Sequence, residues 1–164
     1  MTDHSALPFI DEHTTTFAAD PDRVRVALLA TLDRAFSRSA ASAYARMVGC
    51  VPREASGPRP LTVGSTVPGF AVTAAGPEGE VVLEGRHRFS AYALTFRLDR
   101  DPDGGTRLRA ETRASFPGVT GGLYRLRRRR SRGSRRLVIG SRGHVLGTRR
   151  LLTAVRRRAE ARPA

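Results

Sequence analysis

Residues 80–116 read EVVLEGRHRFSAYALTFRLDRDPDGGTRLRAETRASF, and the alternation of side chains along them decides the fold. Three segments, 80–89, 91–99 and 106–116, each place apolar residues at every second position, the period of a half-buried strand. One face carries Val81, Leu83, His87 and Phe89, then Tyr92, Leu94, Phe96 and Leu98, then Leu108, Ala110, Thr112, Ala114 and Phe116. The other face carries Glu84, Arg86 and Arg88, then Thr95, Arg97 and Asp99, then Arg107, Arg109, Glu111 and Arg113. Asp101-Pro102-Asp103-Gly104-Gly105 is a turn, so consecutive strands are joined by short connections. The pattern predicts an antiparallel meander with one buried and one wet face, its register fixed because a slip of one residue would exchange the two. The mixed charges of the wet face predict cross-strand ion pairs of about 0.2–1 kcal/mol each. An RNA-binding sheet exposes aromatics for base stacking, whereas here every aromatic from Phe89 onward falls on the buried face.

Upstream, 69–75 (GFAVTAA) reads as a further strand ending at Gly76-Pro77. It follows the breaker-rich stretch CVPREASGPRP. Residues 9–17 (FIDEHTTTF) form the first strand, with Asp11, His13, Thr15 and Phe17 in its inward phase. Asp20-Pro21 is an N-cap followed by proline in the first helical position, and Val24, Ala27, Leu28, Leu32 and Phe36 recur at helical spacing over 21–36. A second short helix, 39–48, ends at Gly49. Downstream, Val138, Val145, Leu152 and Ala159 recur every seven residues, with Ser141, Thr148 and Val155 between them. This apolar stripe predicts a long helix over 138–160 that covers the buried face of the sheet.

A strand, two short helices, a meander of about six strands in all and a long C-terminal helix make an α+β helix-grip arrangement. On TTTFAADPDRVRVALL, on LEGRHRFSAYALTFRLD with GGTRLRAETRASFPG, and on VIGSRGHVLGTRRLLTAVRRRAE, the sequence resembles the START-like (SRPBCC) superfamily, which includes polyketide cyclases and lipid-transfer domains. The resemblance covers about residues 9–160 and specifies no catalytic residue. It implies a sheet and helix enclosing a cavity for a hydrophobic or aromatic small molecule, with cyclase- or hydrolase-like chemistry as a further option.

The chain of 164 residues is expected to form a single domain, 1–164, with a short disordered tail. All 29 basic residues are arginine, a usage we read as GC-rich, bacterial coding. One cysteine, Cys50, excludes an internal disulfide framework and fits a reducing, cytoplasmic setting. The acidic N-terminus lacks the basic region of a signal peptide, and no apolar run is long enough for a transmembrane helix. Residues 1–122 hold 14 arginines and 14 acids, so the net charge of +14 lies entirely in 123–164.

A neutral body thus carries a basic C-terminal element. Its densest part supplies Arg127, Arg128, Arg129, Arg130, Arg132, Arg135 and Arg136 as candidate polyanion contacts. Residues 127–137 read as an insertion, because 11 residues are about three helical turns and keep the stripe in phase while adding almost nothing apolar. Weak, non-specific contact with nucleic acid or an anionic membrane is the alternative function this run suggests. Residues 138–146 (VIGSRGHVL) also match the GXXG signature of KH domains. A KH fold needs a strand beyond that motif, where this sequence holds a helix and a tail, and we read the match as coincidental.

No P-loop, GxSxG, HExxH or CxxC occurs, and neither a cofactor nor a metal is implied. The catalytic residues, if any, are not readable. For the ligand cavity the candidates are His13 and Thr15 on the first strand, Tyr44 on the second helix, and His87, Tyr92 and Thr112 on the meander. Gly143 and Gly147 join them, since glycines within a helix cost about 1 kcal/mol each and make room for a ligand or a close sheet. An inward histidine beside an acid would serve as a general acid or base, or simply as a satisfied core residue.

Overall fold

The computed structural model describes residues 6–76, 80–116 and 150–161. The described elements are β1 (Phe9–Phe17), α1 (Pro21–Phe36), α2 (Ser39–Val48), β2 (Thr66–Val67), β3 (Phe70–Ala75), β4 (Val81–His87), β5 (Ser90–Arg100), β6 (Thr106–Ser115) and α3, helical over 150–159. The six strands form one antiparallel sheet in the order β1-β6-β5-β4-β3-β2. The meander runs outward from β6 to β2, and β1 closes on β6 from the other side. Residues 127–137, Gly143, Gly147 and the first half of the expected 138–160 helix lie outside the described residues.

Both early helices have the expected limits, for local reasons. The Asp20 carboxylate accepts the Arg23 amide at 2.9 Å, and Pro21 begins α1. At the end of α2, Gly49 takes φ +71°, and the Cys50 amide reaches back to the Ala45 carbonyl at 2.8 Å. This left-handed turn is open to glycine and delivers Cys50 sharply beneath the helix.

The inward phase of the meander is the expected one at one end of the sheet. Leu83, Phe96 and Leu108 are fully buried, with Val24, Leu28 and Leu32 of α1 packed over them. In α3, Leu152, Val155 and Ala159 enter the same core, as their spacing predicts. Arg156 fastens α3 to β1, donating to the Thr16 carbonyl at 2.8 Å while its guanidinium lies 5.7 Å from the centre of the Phe17 ring.

Two expectations change. Phe89, assigned to the buried face, sits in the two-residue turn Arg88-Phe89 and is exposed, because β4 ends at His87. On the outer face, Thr95 and Glu111 are buried rather than wet. The guanidinium of Arg97 donates to Glu111 at 2.6 Å and also pairs with Glu80 at 3.1 Å, and Arg113 pairs with Glu111 from the other side. Long arginine side chains close over the short residues between them, which removes those residues from water.

In the breaker-rich segment after Cys50, one side chain makes five hydrogen bonds. Arg59 donates to the Asp33 carboxylate of α1 at 2.8 Å, and to the carbonyls of Ser56, Gly57, Pro58 and Thr66. It ties the loop to α1 and holds β2 on the sheet edge, so that Pro68, Gly69 and Phe70 face the space beneath α2.

Candidate functional site

Away from the solid core, the inner face of the sheet leaves a cavity of about 530 Å³. Its floor is His87, Ser90, Tyr92, Leu94, Thr112, Ala114 and Phe116 from the meander, with Ile10 and Asp11 from β1. Phe36, Ala41, Tyr44 and Ala45 from the two helices form its roof, and Cys50, Pro68, Gly69 and Phe70 its side. The expected roof was the C-terminal helix. The part of that helix expected as roof, around Gly143 and Gly147, lies outside the described residues; among the described residues the roof is α2 and the end of α1, while α3 over 150–159 packs into the core with Phe17 and α1.

Tyr92 is the best-anchored wall. Its hydroxyl donates to the Gly69 carbonyl at 3.0 Å and lies 3.5 Å from the Cys50 sulfur. Burial, with the Cys50 contact adding to it, raises the phenol well above its ordinary range, so the hydroxyl stays neutral. Gly85 makes the contact possible: a Cβ there would collide with the Gly69 carbonyl oxygen and the Tyr92 ring. Around Tyr92 the rings form a chain. Phe36 stands 4.7 Å from Phe70, Phe70 stands 5.1 Å from Tyr92, and His87 stands 5.5 Å from Tyr92. These tilted and edge-on contacts set a continuous aromatic wall.

His87 is a second titratable group of the cavity with a displaced equilibrium. Burial holds its pKa below the ordinary histidine value. Its Nδ1 accepts the Phe89 amide at 3.1 Å, which assigns the proton of the neutral ring to Nε2. The ring therefore offers a hydrogen-bond donor rather than a cation.

Of the residues expected at a cavity, Tyr44, His87, Tyr92 and Thr112 line this one. His13 and Thr15 do not. Both keep the inward phase of β1, but register sets them opposite Ala110 and Leu108, on the side of the packed core. His13 Nε2 lies 3.6 Å from Asp11, too long for a hydrogen bond. Gly143, Gly147 and the seven candidate arginines lie outside the described residues. The lining residues that the sequence did not single out are Phe36, Cys50 and Phe70 among others. Gly49 was the available signal for Cys50, since a left-handed helix end turns the next residue back under the helix. Among the described residues no group of three or more His, Cys, Asp or Glu is placed to hold a metal, and no helix is long and apolar enough to cross a membrane.

A six-stranded antiparallel sheet with two helices after its first strand and a C-terminal helix packed on it is the helix-grip fold. It is the fold of the START-like (SRPBCC) superfamily. No protein-family model and no curated protein matches the sequence. Among solved structures, protein CV1439 from Chromobacterium violaceum is similar over 94% of this chain and 100% of its own, with a TM-score of 0.55 and 13% identity. Ara h 8.0201 is similar over 91% of this chain and 95% of its own, with a TM-score of 0.52 and 11% identity. At such identities the likeness is one of fold.

Proposed function

We propose that this protein binds a hydrophobic or aromatic small molecule in the cavity between its sheet and α2. The observation that carries the reading is the cavity's make-up. A space of about 530 Å³ lies within the size of small-molecule sites, and its walls are mostly apolar and aromatic with a few polar groups among them. Phe36, Phe70, Tyr92 and His87 suit a flat apolar body. The Tyr44 hydroxyl, Thr112, Asp11 and the His87 Nε2–H are the groups that would orient its polar atoms. The fold supports the same reading. Among the described residues, His13, the inward histidine beside Asp11, does not line the cavity.

The test is a titration with N-phenyl-1-naphthylamine, a neutral apolar fluorophore that the arginines do not attract. Saturable binding at one site is expected, and Thr112→Trp, which fills the cavity floor, should abolish it while leaving the fold intact by circular dichroism. Unsaturable binding, or saturable binding unaffected by the tryptophan, would refute the proposal. The polyanion alternative draws on the arginine run alone. The outer sheet face does not favour it, since Arg97, Arg107, Arg109 and Arg113 are all engaged by Glu or Asp side chains.

A further inference from the structure

Among the described residues, the cavity wall holds one charged side chain, the Asp11 carboxylate, and no arginine, in a chain with 29 arginines and a net charge of +14. His87 adds no fixed cation, since burial holds its pKa below the ordinary value, and Tyr92, held well above its range, adds no anion. The Asp11 side chain is exposed by 23%, so its charge is largely out of bulk water. Asp11 lies in register with Thr112 of β6, and Thr112 lies opposite Leu94 of β5. Tyr92 is two residues from Leu94 along β5 and shares its face. The carboxylate therefore stands two strand spacings across the sheet from the aromatic wall, about 10 Å at about 4.8 Å each. Leu94, Thr112 and Ala114 floor the space between them.

We infer that the cavity selects an aromatic amine, with a flat apolar body against Phe70 and Tyr92 and a chain of a few carbons carrying an ammonium to Asp11. This rests on the function proposed above and gives its ligand a chemical class. A carboxylate shielded from bulk water attracts a cation and repels an anion more strongly than one in open solvent. A hydrogen bond from an ammonium to a carboxylate is also stronger than one from a neutral hydroxyl, which favours an amine over an alcohol. Asp11 interacts within its own chain too, with His13 Nε2 at 3.6 Å, and the several lone pairs of a carboxylate serve more than one donor. The net charge of +14 draws anions to the molecule as a whole, so a preference for a cation has its source in the cavity itself.

The test is a set of dansyl sulfonamides that differ only at the end of a pentyl chain, which carries an ammonium (dansylcadaverine), a hydroxyl, a methyl or a carboxylate. They are titrated by fluorescence at physiological salt, where distant arginines are screened. The ammonium probe should bind about tenfold more tightly than the hydroxyl and methyl probes, and the carboxylate probe least of all. Asp11→Asn keeps the shape of the side chain and removes its charge. It should bring the ammonium probe to within about twofold of the methyl probe and leave the methyl probe's own affinity unchanged, which also shows that the variant is folded. Asp11→Ser is the second neutral variant and should do the same. Displacement by N-phenyl-1-naphthylamine and loss of binding in Thr112→Trp assign the probes to this cavity.

A hydroxyl, methyl or carboxylate probe that binds the wild-type protein as tightly as the ammonium probe would overturn the inference, and this ranking needs no variant. An ammonium preference that survives both neutral variants would overturn it as well, since Asp11 would not be its source. If none of the dansyl probes binds while N-phenyl-1-naphthylamine does, the ligand class fails and the proposed function stands. If N-phenyl-1-naphthylamine does not bind either, the proposed function fails with it.

Discussion

Leu83 and Leu94 face each other in register across β4 and β5, yet Leu83 is fully buried in the core while Leu94 stands on the cavity wall. The boundary between solid core and open cavity runs between them. Leu83→Ala should therefore open a void in close-packed surroundings and cost about 3 kcal/mol or more. Leu94→Ala only enlarges a space that exists already and should cost about 1 kcal/mol. Denaturant titration of the two variants gives the comparison; equal losses would mean that the cavity is not there in solution.

The Tyr92–Gly69 hydrogen bond and the absence of a side chain at Gly85 are two halves of one contact. Tyr92→Phe keeps the ring and strands the carbonyl, a loss of about 1 kcal/mol or a few degrees in Tm. Gly85→Ala drives a Cβ into the Gly69 carbonyl oxygen, a backbone atom, and into the Tyr92 ring. It should cost more than Tyr92→Phe and weaken apolar-probe binding too, because Gly69 and Phe70 would be displaced from the cavity wall. Thermal melts with and without the probe would separate the two effects.

The sheet was legible because alternation is a local property: Leu83, Phe96 and Leu108 announce their face by their spacing alone. So were α1 and α2, whose Asp20 cap and Gly49 stop act within one turn. Phe89 was misplaced because it continues the period of β4 arithmetically, while the chain has already turned at Arg88. Strand β2 escaped notice for another reason. Two residues have no period, and they are held by Arg59 and by a bridge between Ser56 and Thr66. The cavity was half legible. Tyr92 and Thr112 follow from the inward phase of the meander, but Phe36, Cys50 and Phe70 meet them only through the packing of α1, α2 and the 50–66 loop. No short-range pattern records that packing. The same limit applies to His13, whose inward phase was readable but whose place along the sheet, opposite Ala110, was not.

Arg97 and Arg109 stand directly opposite each other on the outer face, a like-charge pair that each resolves diagonally, Arg97 towards Glu111 and Arg109 towards Asp99. Burial by itself would raise the Glu111 pKa, but the hydrogen bonds from Arg97 and Arg113 outweigh it and hold the carboxyl below its ordinary value of 4.5. A group whose pKa is depressed by folding stabilises the fold above its unfolded value, and that stability is lost as pH falls through the folded one. Glu111→Gln should thus be less stable than wild type at pH 7, by about 1–3 kcal/mol. Its stability should also decline less steeply than the wild type's below pH 4.5. Parallel acid limbs in the two denaturation profiles would show that Glu111 is not the group responsible.

The arginine run lies outside the described residues, and its separability from the body follows from the sequence. Residues 127–137 contain seven arginines, so their deletion takes the net charge from +14 to +7. They contain one apolar residue, Leu137, and therefore have little to bury. Eleven residues are about three helical turns, which leaves the stripe that ends in Leu152, Val155 and Ala159 in phase across the join. Deleting 127–137 should leave Tm and apolar-probe binding nearly unchanged. Affinity for DNA should fall, and the slope of its logarithm against the logarithm of salt concentration should flatten, by about one unit for each phosphate that is no longer neutralised. A variant that unfolds would place the run within the core helix. One that keeps its fold but no longer makes a tight, sequence-selective RNA interaction would make recognition of nucleic acid, and not the cavity, the principal activity.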